Sequence, residues 1–225
     1  MSTIRKVSFL NDYYYHTFNR GVDRRPIFQS KREYDRFMTT IRFYRYAQNK
    51  LKLARFLTLP YSEQIVFLDQ QRQQKLHVEI VAYCLMPNHF HFLLKQKIDN
   101  GIATFISNLS NSYTKYFNTK HERIGPLLQG IFKAVFVETE EQLIHLSRYV
   151  HLNPVASAVI RVSDLNSYAY SSFQEYLGFD TSILCTKDIV LSNFATIEKY
   201  KEFTYDQIGY SRELENIKHL CIDAK

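Results

Sequence analysis

Two histidines separated by one residue, His89-Phe90-His91, follow the turn-forming run Met86-Pro87-Asn88 and lead into Phe92-Leu93-Leu94. In an extended strand successive side chains point to opposite faces, so both imidazoles share one face while Phe90, Phe92 and Leu94 take the other. Two imidazoles one strand repeat apart can share a divalent cation once a third ligand reaches them from elsewhere in the chain. Further on, Tyr149 and Asn153 stand four apart within Arg148-Tyr149-Val150-His151-Leu152-Asn153-Pro154, a spacing that places two side chains on the same side of a helix. One can supply a phenol and the other a carbonyl ligand. Taken alone, that spacing more often describes a half-buried core tyrosine and a capping asparagine ahead of proline.

The elements that must position these residues can be read in order. Tyr13 to Asn19 is rich in β-formers and runs into Arg20-Gly21, a strand entering a loop crowded by Arg20, Arg24 and Arg25. From Ser30 to Ala47, apolar residues fall at helical spacing behind a Ser30 cap with Glu33 three residues on. Asn49 to Lys75 is polar, Gln-rich and contains Pro60, which suits an inserted helical excursion. Leu76 to Met86 and His89 to Lys95 form a hairpin around Pro87-Asn88, and Ile102 to Phe117 repeats as a second core helix. After Gly125-Pro126, Phe132 to Glu138 is a fourth strand; Thr139 then caps a third helix, with Gln142 reaching back and Asn153 expected at its end because Pro154 follows.

Strand, helix, strand, strand, helix, strand is the split βαβ plan: an α+β, ferredoxin-like or RRM-like domain with an antiparallel sheet and its two helices on one face. We expect this domain to cover 1–178, with an insertion at 49–75, and a helical C-terminal extension to occupy 179–225, where Leu191 to Ile222 suits two or three short helices.

A chain of 225 residues, 45% hydrophobic, suffices for one substantial core. Its formal charge of +7 favours a polyanionic partner over an acidic protein or a neutral metabolite. The aromatic residues, Tyr and Phe without Trp, offer stacking surfaces to single-stranded bases as well as core. Cys84, Cys185 and Cys221 have neither disulfide nor zinc-site spacing and read as reduced packing residues. No apolar run is long enough to span a bilayer, and Met1 to Asp12 lacks a signal-peptide pattern, so a cytoplasmic location without membrane attachment is expected.

Several spaced motifs together resemble a known family. His89-Phe90-His91, Gln129-Gly130-Ile131-Phe132-Lys133 and Arg148 to Pro154 are similar to the IS200-like single-tyrosine transposases. Tyr15-His16-Thr17-Phe18-Asn19-Arg20-Gly21, with Ile27-Phe28, resembles their REP-associated branch, and Tyr170-Ser171-Ser172-Phe173 resembles the motif that closes the domain. The chain departs from that branch in having Ile131 after the Gln-Gly pair and Ala156 after Asn-Pro-Val, where arginines are common. The resemblance implies that Tyr149 is a nucleophile and that His89, His91 and Asn153 hold Mg²⁺ or Mn²⁺. It also implies single-stranded DNA with an adjacent hairpin as substrate, cut through a 5′-phosphotyrosine by a monomer or a homodimer. Of the basic residues read as nearest the site (Lys95, Lys97, Lys115, Lys120, Lys133 and Arg148), Lys133 and Arg148 are expected phosphate contacts, as is Arg20 in its loop. His145, one turn before Tyr149, either tunes the phenol or faces solvent. Two rivals remain: a non-catalytic RRM-like module that binds single strands by stacking, and a zinc hydrolase that uses the histidines to activate water.

Overall fold

The computed structural model describes residues 8–180 and 184–208. Four strands, β1 (Tyr14–Arg20), β2 (Val78–Met86), β3 (His89–Gln96) and β4 (Lys133–Val137), form an antiparallel sheet in the order β2-β3-β1-β4. Between β1 and β2 lie α1 (Lys31–Tyr44), α2 (Leu53–Phe56) and α3 (Tyr61–Gln71), and α4 (Gly101–Lys120) joins β3 to β4. After β4 come α5 (Glu140–Ala156), α6 (Phe173–Tyr176), α7 (Asp188–Leu191) and α8 (Ile197–Tyr205). This is the split βαβ arrangement read from the sequence.

The alternation in β3 divides the molecule. Phe90 and Phe92 are fully buried on one face, where Phe37 of α1 and Phe105 of α4 meet them at ring separations of 5.4 and 5.9 Å. The opposite face carries the two histidines and is covered by α5, so β3 is buried on both sides. Removing these rings from water is the main term holding the layers together.

The insertion is helical, as expected. It carries a small core of its own in which Phe56 and Phe67 pack on Phe43 of α1. Backbone bonds from Ala47 N to Lys75 O and from His77 N to Arg45 O bring its two ends back together.

Two local expectations are corrected. Ser30 makes no side-chain bond to its helix; its hydroxyl accepts from Lys120 at 3.2 Å, while Glu33 reaches back to Gln29 N. Burial of Glu33 beside Lys120 and His121 turns what would be a local cap into a tie between α1 and α4. At the other end of the domain, Thr139 does cap α5, accepting from Gln142 N at 3.1 Å. Asn153, however, does not end that helix, which continues through Pro154 to Ala156. A proline this close to a helix terminus removes only one ladder bond, and Val159 N and Ile160 N both return to Pro154 O.

Cys84 and Cys185 are buried thiols, and Cys221 lies outside the described residues. Of the helices expected from Leu191 to Ile222 the structure describes α8, while α7 ends where that range begins; Val190 and Tyr200 of these two join the main core, and the rest of the expectation lies outside the described residues. Among the described residues no helix is long and apolar enough to cross a membrane.

Candidate active site

Register decides which side chains share the histidine face. Opposite residues in an antiparallel pair point the same way, and β1 pairs Phe18 with His91 and Arg20 with His89. His16, Phe18 and Arg20 therefore lie on the imidazole side, and β4 adds Lys133 opposite Phe18 and Val135 opposite His16. α5 closes over this surface and leaves a cleft of about 740 Å³. His16, His89, His91, Tyr149 and Asn153 all line it.

The two imidazoles are held in the same way. His91 Nδ1 lies 2.9 Å from His16 Nε2, and His89 Nδ1 lies 2.6 Å from Asn88 Oδ1. Asn88 Oδ1 can only accept, so His89 carries its proton on Nδ1, whereas in the His16–His91 pair either ring can donate. When His91 gives its Nδ1 proton to His16, His91 Nε2 offers a lone pair as His89 Nε2 does. Burial, reinforced by the nearby Arg20 charge and opposed by the Asn153 side chain, pushes the His89 pKa down to about 4. His89 is therefore neutral near pH 7, the form a metal requires.

Helix α5 supplies the other two groups. The Tyr149 ring stands edge-on to His91, with centroids 5.7 Å apart, and to His16 at 5.8 Å. One turn later Asn153 is 2% exposed, and its Nδ2 donates to the Tyr149 carbonyl at 3.0 Å. That bond orients the carboxamide and directs Oδ1 toward His89, with which the Asn153 side chain also bonds. Two neutral nitrogens and one amide oxygen suit a divalent cation that keeps most of its charge. Among the described residues no three His, Cys, Asp or Glu side chains are grouped as a metal site, so a cation here depends on the carboxamide of Asn153.

The basic residues divide differently from the expectation. Arg20 and Lys133 line the cleft. Arg148 does not: its guanidinium lies 4.0 Å from the Phe203 ring centre and donates to Phe203 O at 3.2 Å. One residue before Tyr149 on a helix is about 100° around the axis, which turns Arg148 toward α8. Lys115 and Lys120 sit on α4, across the sheet from the cleft, while Lys95 and Lys97 pair with Asp12.

His145 lines the cleft, half exposed, with Nδ1 2.7 Å from Arg148. His151 points into the core, bonded to Tyr200 Oη and Ser172 Oγ at 2.8 Å each. His121 is tied to Glu33.

His16 is the cleft-lining residue that spacing alone missed. Its signal was the alternation Tyr14, His16, Phe18, Arg20, which acquires meaning only once β1 is placed beside β3.

Comparison with known proteins bears out the motif resemblance. Residues 54–153 match the family described as "Transposase IS200 like", a stretch that includes both histidines, Tyr149 and Asn153. A solved structure described as "Structure of the REP associates tyrosine transposase bound to a REP hairpin" has the same fold. It covers 84% of this chain and 93% of its own, with a TM-score of 0.52 and 16% sequence identity. No curated protein sequence matches.

Proposed function

We propose that this protein is a DNA transposase that cuts and rejoins single-stranded DNA through Tyr149. The observation that carries this reading is the convergence of Tyr149, His91, His89 and Asn153 in one cleft of one chain. In the reaction the Tyr149 phenolic oxygen attacks a backbone phosphorus and loses its proton; the phosphorus–oxygen bond to the 3′ carbon's oxygen breaks, and that oxygen leaves as a 3′-hydroxyl. The product is a 5′-phosphotyrosine. Attack on it by a second 3′-hydroxyl restores a phosphodiester and frees the phenol, so the bond energy is conserved without ATP.

A Mg²⁺ or Mn²⁺ ion held by His89, His91 and Asn153 would offset the charge that builds on the phosphoryl oxygens. The chain's own part is to fix geometry. His16 and Asn88 set the ring orientations, and the carbonyl of Tyr149 itself holds the Asn153 carboxamide. Arg20 and Lys133 are proposed to bind the strand's phosphates at the cleft rim. All four site residues belong to one copy, so a single cut needs no partner subunit. A hairpin beside the cut strand, the feature named for the structural relative, is the proposed recognition element.

Incubating the protein with single-stranded oligonucleotides and Mn²⁺ should give a denaturation-resistant protein–DNA adduct, lost in Tyr149→Phe while the thermal midpoint stays unchanged. Salt-sensitive binding without any adduct would favour the non-catalytic module, and cleavage that survives Tyr149→Phe would favour water activation.

A further inference from the structure

Across the sheet from Tyr149, the outer faces of α1 and α4 and the start of the insertion enclose an open groove of about 910 Å³. Five basic side chains line it, Arg32, Arg36, Lys52, Lys115 and Lys120, and none of the described residues lining it is acidic. Lys120 is neutralised by the buried Glu33. Arg32, Lys52 and Lys115 are exposed and form no ion pair with the described residues. A positive surface with nothing opposing it attracts an anion.

The groove is also lined by polar groups left without partners. Arg36 Nε, the Tyr116 hydroxyl, His77 Nδ1 and Asn49 Oδ1 are all buried, and none has a hydrogen-bond partner among the described residues. All four residues line this one groove. The Arg36 guanidinium lies 5.0 Å from the Tyr116 ring centre, and burial lowers its pKa from the ordinary arginine range. Buried polar atoms in folded proteins nearly always have a partner, whether protein, solvent or a bound ion, so these four mark a place where polar atoms of a ligand can be received. Beside these groups stand Asn108, Asn111 and Ser112 of α4 and the apolar Phe43 and Leu53. Cations, amides and an apolar wall are together what a nucleic acid strand asks of a groove.

We propose that this groove is a second polynucleotide-binding site, which holds phosphodiester groups of the DNA outside the segment that Tyr149 cuts. The inference rests on the nucleic-acid reading above but not on the tyrosine chemistry. Cations distributed over two helices and the insertion fit successive phosphates of a strand better than one free nucleotide. The 49–75 insertion thereby gains a role: it supplies Lys52 and Asn49 and forms one wall.

The test is fluorescence anisotropy with a labelled oligonucleotide carrying a hairpin and a single-stranded flank, measured over a salt series. The double variant Lys52→Gln, Lys115→Gln should bind roughly 10–100-fold more weakly, with the slope of log affinity against log salt reduced by about two. Both lysines are exposed, so misfolding does not explain such a loss. Arg36→Gln should weaken binding further and Arg36→Lys should recover part of it. Hydrogen exchange should show that the DNA protects residues 49–54 and 108–116. Wild-type affinity and slope in the double variant would overturn the proposal, as would protection by dAMP but not by the oligonucleotide. If groove variants lose affinity while no adduct ever forms, the catalytic reading fails and the groove stands. If adducts form and groove variants bind normally, the groove fails alone.

Discussion

Replacing His16 by alanine tests the site's design most directly, because His16 is not one of the expected metal ligands. It is 7% exposed, and its Nε2 lies 2.9 Å from His91 Nδ1. Alanine leaves the buried His91 Nδ1 without its ring partner and removes the group that holds the imidazole upright. A lost partner of this kind costs roughly 10–100-fold in metal affinity, or about 1.5–3 kcal/mol. The buried unpaired nitrogen costs stability as well, about 1–3 kcal/mol. The assay is adduct formation titrated with Mn²⁺. We expect the half-saturating Mn²⁺ concentration to rise roughly 10–100-fold, with the adduct level recovering when the ion is saturating. His16→Gln, which offers an amide oxygen in place of Nε2, should restore most of the affinity. A merely structural His16 would lower the thermal midpoint without moving the Mn²⁺ requirement. That result, or equal Mn²⁺ curves for His16→Ala and wild type, would refute the tautomer argument.

Two other predictions are independent of this one. Arg148→Ala should leave affinity for single-stranded DNA unchanged and lower the stability by about 1 kcal/mol, since its guanidinium is spent on Phe203; a large loss of DNA affinity in chemical-shift or anisotropy titrations would show that Arg148 swings into the cleft. The second prediction is a stability loss in mild acid. Burial pushes the His151 pKa down to about 3, below the ordinary 6.5, so the unfolded chain binds a proton that the folded chain refuses. The stability is complete above the unfolded value and is lost as pH falls from there toward the folded one. Between neutrality and about pH 4.5, His151 alone should cost roughly 2–3 kcal/mol, and His89, shifted the same way, adds to it. Urea midpoints measured against pH in wild type and His151→Gln check this; an equal pH slope in the variant would refute it.

What the sequence disclosed and what it withheld follow one physical line. Period-two alternation around His89 and the four-residue step from Tyr149 to Asn153 are local facts, and the structure keeps both. The strand order was legible because the element sequence admits few plans. Apart from the end of α5, what was misjudged depended on register or on packing between distant segments. A one-residue slip of β1 against β3 would turn His16 into the opposite layer, and composition offers nothing that fixes that register. Arg148 was expected beside the phosphate because it adjoins Tyr149 in sequence, yet adjacency on a helix is separation around its axis. Pro154 was given authority to stop α5, but the helix was already near its end and lost a single bond. Lys115 and Lys120 were placed with the cleft by charge alone, although Ile106, Leu109 and Tyr113 on the same helix must face the sheet and so send those lysines outward. Burial set the direction of each of these side chains. The basic groove exists for that reason: once the apolar stripe of α4 is committed to the core, its cations have nowhere to gather except the outer face, and the insertion docked on Phe43 turns that face into a concave one.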